Sequence, residues 1–332
     1  MSTIAIIGGT GLLGRATAEE LQSHGHEVMS IALPPRTAAP VDGVRYEYLD
    51  IATATDAELR DLLAGVDGVV YAAGADERTT PAIPAAAFFY RANVLPTQRM
   101  VRLSRLAGAT RFVLFGSYFS HFAEQWTDLH LSDVAGYPRT RLLQEQVAYL
   151  EGDPGMSVST LRLPWIFGTM PGVVPLWSAF VQQVAATPVD QPIYVPVGST
   201  TAITTRQVAQ AARGALERGE HGKGYVVAGI DLTYAEFHRM IADALNIDRS
   251  RIQPVPVDVF KPAMVAMDAQ ELDRGLEHGI HLADVAEIQG RDATTHPGAV
   301  RDALGYAEDD VLGAVRESLR VCVDALKPEA AS

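Results

Sequence analysis

The stretch Thr3-Ile4-Ala5-Ile6-Ile7-Gly8-Gly9-Thr10-Gly11-Leu12-Leu13-Gly14-Arg15-Ala16-Thr17-Ala18-Glu19-Glu20-Leu21 decides the fold. Residues 3–7 read as a short buried strand, and Leu13, Thr17 and Leu21 then recur at helical spacing. A strand that breaks on glycines into a helix aims free backbone N–H groups and a positive helix end at one point, which suits a pyrophosphate. In this reading Gly8 allows the tight turn, Gly11 the close approach of phosphate, and Gly14 the packing of helix on strand. The spacing is G-x-x-G-x-x-G rather than G-x-G-x-x-G, so the position between strand and helix carries the reading more than the glycines do. The competing explanation is a structural turn that happens to be rich in glycine.

Downstream, apolar segments at 25–32, 44–51, 66–74, 111–117 and 158–163 alternate with helical patterns at 55–64, 85–107 and 137–150. This alternation predicts an α/β fold, a Rossmann-type doubly wound parallel sheet with its ligand beyond the carboxyl ends of the strands. The second strand ends in Ala32, where an acid would bind ribose hydroxyls and repel a 2′-phosphate. Its absence, with Arg36 nearby to pair with a phosphate, favours NADP(H) over NAD(H). Arg36 as a solvated loop residue is the alternative. Pro96 is expected to kink the helix over 85–107 or to cost it a hydrogen bond.

Residues 118–126 read as an aromatic loop, placed where a substrate pocket would open; a satellite core is the other reading. Tyr137 and Arg141 stand four apart, on one helical face. Beyond Gly168 the rhythm changes: a Pro-, Gly- and aromatic-rich span with one helix near 176–186, a helix over 205–217, a strand at 225–227 and an amphipathic helix over 233–245. The rest reads as mostly helical. The expected organisation is a dinucleotide-binding unit over 1–164, to which 201–228 return. A smaller, mostly helical substrate-binding region then comprises 165–200 and 229–328.

The 332 residues carry a net charge of −13 with no basic run, which argues against a nucleic-acid or anionic-membrane partner. No apolar run reaches membrane-spanning length, and a core strand beginning at residue 3 leaves no room for a signal peptide, so a cytoplasmic location is expected. Cys322 is the sole cysteine, which excludes an intrachain disulfide and a multi-cysteine metal site. No metal is expected.

Taken together these segments resemble the extended or atypical short-chain dehydrogenase/reductase superfamily, the NAD-dependent epimerase/dehydratase group, over nearly the whole chain. Gly8 to Gly14, with Thr10, Leu12 and Leu13, resembles its cofactor turn. Asp50-Ile51 is similar to its adenine-contacting pair, and Tyr71-Ala72-Ala73-Gly74 to its small-residue strand end. Asn93-Val94-Leu95-Pro96-Thr97 resembles the N-V-x-G-T helix. Arg162-Leu163-Pro164-Trp165-Ile166-Phe167-Gly168 resembles the L-R-P-x-x-x-x-G stretch, which brings Leu163, Pro164 and Ile166 to the cofactor. Leu304-Gly305-Tyr306 is similar to a C-terminal element. Two departures stand out: Y-x-x-x-K becomes Tyr137-Pro-Arg-Thr-Arg141, and the serine pair becomes Gly116-Ser117, followed by Tyr118. The resemblance also implies a homodimer through the helices near 85–107 and 133–150.

Hydride transfer to a carbonyl leaves an alkoxide that must be protonated. A phenol of ordinary pKa about 10 does this reversibly only with a fixed cation beside it. The resemblance assigns the phenol to Tyr137 and the cation, which also binds the nicotinamide ribose, to Arg141. Arginine supplies charge and hydrogen bonds but cannot surrender a proton. The hydroxyl nearest the substrate is Ser117 or, with the register shifted by one residue, Tyr118; Ser117 would hold the carbonyl oxygen. The expected activity is reduction of a ketone or aldehyde, or the reverse, on a small-to-medium apolar molecule lined by Tyr118, Phe119, Phe122, Trp126, Trp165, Phe167 and Trp177. A nucleotide-sugar epimerase or dehydratase is the alternative, disfavoured because 165–205 hold no lysine or arginine for a diphosphate. A non-catalytic dinucleotide sensor is the third.

Overall fold

The computed structural model describes residues 1–35 and 39–327. The chain runs β1 (Thr3–Ile7), α1 (Leu12–Ser23), β2 (Glu27–Ala32), β3 (Arg45–Tyr48), α2 (Asp56–Leu63), β4 (Gly68–Tyr71), α3 (Ala85–Phe89), a π turn (Tyr90–Val94) and α4 (Leu95–Leu106). Next come β5 (Arg111–Ser117), α5 (Tyr118–Gln125), α6 (Leu131–Val134), α7 (Gly136–Gly152), β6 (Ser157–Leu163), β7 (Trp165–Phe167), α8 (Ser178–Ala186), β8 (Ile193–Pro196) and β9 (Ser199–Thr204). Then follow α9 (Thr205–Arg218), β10 (Lys223–Val226), β11 (Ile230–Thr233), α10 (Tyr234–Ala244), β12 (Ile252–Val255), α11 (Val257–Asp273), α12 (Leu282–Gln289), β13 (Asp292–Ala293), α13 (Gly298–Leu304) and α14 (Val311–Asp324).

Seven strands form one sheet in the order β10-β6-β5-β4-β1-β2-β3, every pairing parallel. Strand alternation divides the apolar residues between two faces. Ile4 and Ile6 of β1 join Val70, Val113 and Leu161 beneath α1 and α9. Ala5 and Ile7 join Val69, Phe112 and Leu114 beneath α2 and α4. Burial on both faces is why these strands read as continuous apolar runs. The chain order reverses direction on either side of β1, so the crevice beyond β1 and β4 is the switch point where such sheets take ligands.

A smaller lobe packs on this sheet. It is built on four short strands, β7, β9, β11 and β13, together with the β8–β12 pair and α8, α10 and α14. The region is mostly helical, as expected, with α11, α12 and α13 beside these helices; its strands are only two to six residues long, too short to impose a readable period of two on the sequence. β9 belongs to this lobe, and the chain rejoins the large sheet at α9 and β10. Among the described residues no helix is long and apolar enough to cross a membrane.

One local reading needs revision, and one acquires a detail. Residues 118–125 are helix, not loop. The Ser117 hydroxyl caps this helix by accepting the Phe119 N–H at 3.2 Å, and Tyr118, Phe122 and Ala123 bury one face. In the helix over 85–107 a π turn precedes Pro96, with the Leu95 N–H reaching back five residues to the Tyr90 carbonyl. That wider turn comes just before the residue with no N–H to give.

Candidate active site

The glycine turn closes at the carboxyl end of β1. Gly8 has φ +89°, a left-handed conformation, and donates its N–H to Ile31 O at 2.9 Å. A Cβ on Gly14 would lie 2.3 Å from Gly8 O and 2.6 Å from the Gly9 Cα, so α1 seats against the turn only without a side chain there. Gly11 differs. Its φ is −83°, and a Cβ would come no nearer than 3.5 Å to Gly8 O, so the protein's own packing does not require glycine. The space above it is open to a ligand. α1 has no side-chain N-cap and no acid in its first turn, leaving the N–H groups around Leu12, Leu13 and Gly14 and the positive helix end uncompensated. These features fit a dinucleotide pyrophosphate.

Beside the turn is a small depression lined by Gly9, Thr10, Arg15, Pro35, Ala39, Pro40 and Tyr46. Thr10 donates its hydroxyl to Leu33 O at 3.1 Å, and Arg15 donates to Ala39 O at 2.6 Å. Arg15 is a cation at this rim that the sequence pattern did not single out; Arg36 lies outside the described residues. Asp50 sits exposed just past β3, with Oδ1 accepting the Ala52 N–H at 2.9 Å. Arg99 holds the loop behind it by donating to Ile51 O at 2.7 Å and pairing with Asp56 at 2.7 Å.

Across the crevice, β4 is followed by half-buried Ala72 and Ala73 and exposed Gly74 at φ +141°. Asn93, in the π turn, accepts the Ala75 N–H at 2.8 Å and donates to Ala75 O at 2.9 Å. A Cβ on Gly74 would meet the Asn93 Oδ1 at 2.6 Å. Both amide atoms of Asn93 therefore fix the path of this segment.

Ser117, Tyr137 and Arg141 come together at the ends of β5 and β6. The Tyr137 ring is buried between Phe89, 5.2 Å away edge-on, and Phe119, 6.2 Å away. Its backbone N–H, in the first turn of α7, donates to Gly279 O at 2.7 Å. Arg141 lies with its guanidinium carbon 5.6 Å from the centre of that ring. It donates to Phe115 O at 2.8 Å and to the Gln144 amide oxygen at 2.7 Å, while Nε, also buried, has no partner. Gln144 in turn donates to the Thr97 hydroxyl at 2.7 Å. Gln144 and Thr97 therefore orient the arginine, a role visible only in three dimensions.

Burial pushes the Tyr137 phenol up to about 12; Arg141 and Ser117 pull it down, and Glu77 and Asp76 push it further up. At neutral pH it is a protonated donor. Glu77, half-buried on the segment after β4, was not anticipated. Burial and the neighbouring Asp76 raise its carboxyl, against Arg78 and Arg141.

Leu163 stands opposite Ser117 in the β5–β6 register, Pro164 follows it, and Ile166 pairs with Ile203 in the small sheet. The aromatic residues divide. Tyr118, Phe119, Phe122 and Trp126 cluster with Tyr137, Tyr118 and Phe122 being buried and the other two half-buried. The Tyr118 hydroxyl lies 3.2 Å from Thr200 Oγ1. Phe167 and Trp177 stack 4.3 Å apart inside the core of the small lobe, which corrects their assignment as pocket-lining residues. Half-buried Trp165 touches Trp177 at 4.8 Å and is the member of that group nearer the surface.

The sequence profile of the NAD dependent epimerase/dehydratase family matches residues 4–228. A ketoreductase of Stigmatella aurantiaca acting on 4-hydroxy-2-methyl-3-oxo-4-farnesyl-3,4-dihydroquinoline-1-oxide is 25% identical over 317 residues, 91% of each chain. A dTDP-6-deoxy-L-talose 4-dehydrogenase (NAD(P)(+)) of Kitasatospora kifunensis is 34% identical over 122 residues, 34% of this chain and 35% of that one. The dTDP-glucose 4,6-dehydratase of Streptomyces venezuelae, solved with NAD, superposes with TM-score 0.67 over 97% of each chain at 18% identity.

Proposed function

The chain is an enzyme of the NAD-dependent epimerase/dehydratase family, and from that premise we propose that it is a nicotinamide-dependent oxidoreductase reducing a ketone or aldehyde on a largely apolar molecule. The observation that carries this reading is the buried Tyr137 ring with the Arg141 guanidinium 5.6 Å from its centre, at the strand end that Ser117 closes. When bound, the reduced nicotinamide supplies the hydride. Gly8, Gly11, Gly14 and the first turn of α1 hold the pyrophosphate, and Asp50 and Ile51 border the adenine. Ala72, Ala73, Gly74, Leu163, Pro164 and Ile166 line the path of the rest of the cofactor. Asn93 acts by fixing that path.

Tyr137 gives its proton to the oxygen as the carbonyl becomes an alcohol, Ser117 steadies that oxygen, and Arg141 offsets the phenolate that forms. A phenol that resists ionisation is a ready acid and a reluctant base, which favours the reductive direction. The full-length relative named as a ketoreductase supports the same direction and an apolar substrate, as do the aromatic rings around Tyr137. The nucleotide-sugar alternative needs cations for a diphosphate. Arg206, the nearest after residue 165, is committed to Asp309 at 2.7 Å.

For the cofactor, a preference for NADPH rests on Ala32 where an acid would exclude a 2′-phosphate, with Arg36 close in sequence; Arg15 at the rim is paired with Glu19 at 3.1 Å. Residues 165–200 and 229–328 form the substrate-binding region in this proposal. A homodimer would cover exposed Leu95, Leu106, Leu143 and Leu150 on α4 and α7. Calorimetric titration with NADPH and NADH tests the cofactor reading, and binding of neither would sink it. Tyr137→Phe tests the chemistry: turnover of a carbonyl probe that survives unchanged would remove Tyr137 from the mechanism.

A further inference from the structure

Two helices that flank the site begin without side-chain caps of their own. α7, which carries Tyr137 and Arg141, follows Ala135. α3, which carries Phe89 and leads through the π turn to Asn93, follows Pro84. The first N–H groups of a helix need acceptors from elsewhere. One strap far along the chain, residues 275–281 between α11 and α12, supplies an acceptor to each. The Gly279 carbonyl accepts the Tyr137 N–H at 2.7 Å, and the Glu277 carboxylate accepts the Ala85 N–H at 2.6 Å.

The strap is itself tied at both ends. Leu276 bridges antiparallel to Ala82, with the Ile83 N–H donating to Gly275 O at 3.1 Å and the Glu277 N–H to Pro81 O at 2.9 Å. At the other end buried Asp268 of α11 accepts from His278 Nδ1 at 3.0 Å and from the Leu282 and Ala283 N–H groups at 3.0 and 3.1 Å. Ile280 is buried in one cluster with Tyr137 and Phe89. Between these ties the strap runs so close to both rings that glycine alone fits. A Cβ on Gly279 would lie 2.5 Å from Phe89 Cε2 and 2.9 Å from Tyr137 Cβ. That second atom is the root of the side chain, so it yields only by carrying the phenol with it.

We propose that Gly279 and Glu277 are positioning residues of the reaction, the strap setting the start of α7, and with it the Tyr137 phenol, against the start of α3, which leads to the Asn93 clamp on the cofactor crevice. This rests on Tyr137 being the acid. Gly279 acts by its carbonyl and by having no side chain; Glu277 acts by capping α3. Neither exchanges a proton with the substrate. The strap lies beyond residues 4–228, the span the family profile matches, so the site is completed by positions that profile does not cover. Proton transfer depends steeply on the placement of the acid, which is why a strap holding two helix starts bears on rate and not on stability alone.

Two variants of the full chain test this. Gly279→Ala sets a methyl group against Tyr137, and Glu277→Ala removes the cap on α3 while leaving the strap's glycine in place. With phenanthrenequinone and saturating NADPH or NADH, Gly279→Ala should lower kcat roughly tenfold to 100-fold, the effect of misplacing a reacting group by about an ångström. Glu277→Ala should lower it by less. Calorimetric cofactor affinity should be unchanged in both. Tyrosine labelled with ¹³C at Cζ supplies the second readout, the Tyr137 signal being the one lost in Tyr137→Phe. It should shift in both variants, while the signals of Tyr225 and Tyr306, which pack in a different core, stay in place. An unmoved Tyr137 signal overturns the proposal whatever the rate, and so does wild-type kcat. Should Gly279→Ala fail to fold, Glu277→Ala decides by the same two readouts. Wild-type turnover in Tyr137→Phe would instead refute the reading of Tyr137 beneath it, a result obtained without either strap variant.

Discussion

Two alanines, at Gly11 and Gly14, separate what the glycine turn does for the fold from what it does for a ligand. At Gly14 the added Cβ would sit 2.3 Å from Gly8 O and 2.6 Å from the Gly9 Cα, and both contacts are backbone, which cannot swing aside. The helix must lift or the turn must shift, and overpacking of that kind costs about 1–3 kcal/mol. At Gly11 the nearest atom is 3.5 Å away and φ is −83°, so alanine enters without strain. Its effect on stability should stay within roughly 0.5 kcal/mol. The methyl group does, however, occupy the open space over the first turn of α1, where a pyrophosphate would lie. Gly11→Ala should therefore fold as the wild type does and bind NADH or NADPH about tenfold more weakly or worse, about 1.4 kcal/mol. Gly14→Ala should lose both stability and binding. Urea denaturation and calorimetric titration of the two variants read these quantities independently. A Gly11→Ala protein that binds cofactor with wild-type affinity would refute the assignment of that space.

Tyr137→Phe should keep the wild-type circular dichroism and lose roughly 100-fold to 10,000-fold in turnover of a carbonyl substrate, the usual worth of a general acid; a loss below tenfold would count against it. Alkaline stability should report the buried phenols. Burial pushes Tyr71 and Tyr137 each up to about 12, and raises Tyr118 and Tyr149 as well. Below about pH 10 these phenols are protonated in both the folded and unfolded chain. Between about 10 and 12 only the unfolded chain ionises them, so stability falls as pH rises through that window. Tyr137→Phe should make the fall shallower by roughly 1.4 kcal/mol per pH unit, and an unchanged slope in urea melts would contradict the burial of that hydroxyl. Light scattering should give twice the 35.7 kDa chain mass, and the Leu95→Arg/Leu143→Arg double variant should give the monomer; a wild-type monomer would end the dimer proposal.

The large sheet was legible because its strands are buried on both faces, so Ile4 to Ile7 and Val69 to Tyr71 advertise themselves as unbroken apolar runs. The glycine turn and the Tyr137–Arg141 pair were legible for a related reason: each is a local pattern, set by spacing along one segment. Residues 118–125 were misread because their aromatic content drew attention away from Tyr118 and Phe122, which sit at helical spacing behind a serine cap. The helices of the small lobe were legible, but its strands were not, because segments such as Trp165–Phe167 and Asp292–Ala293 offer too few residues to show alternation. Gln144, Thr97 and Arg15 carry no local signal at all. Their roles arise from contacts between segments far apart in the chain, such as the 2.7 Å bond from Gln144 to Thr97 across 47 positions.

The π turn at Tyr90–Val94 also bears on how this protein can change over evolutionary time. Each residue of a helix turns the chain by about 100°, so deleting one residue from that turn would swing Asn93 off Ala75 or rotate all of α3 against its neighbours. The segment is thus closed to insertions and deletions of single residues, even where every substitution in it is conservative. The exposed loop at 171–174 between β7 and α8, by contrast, lies away from that clamp and is free to change length. Lineages descended from this chain should record gaps in the second place and none in the first.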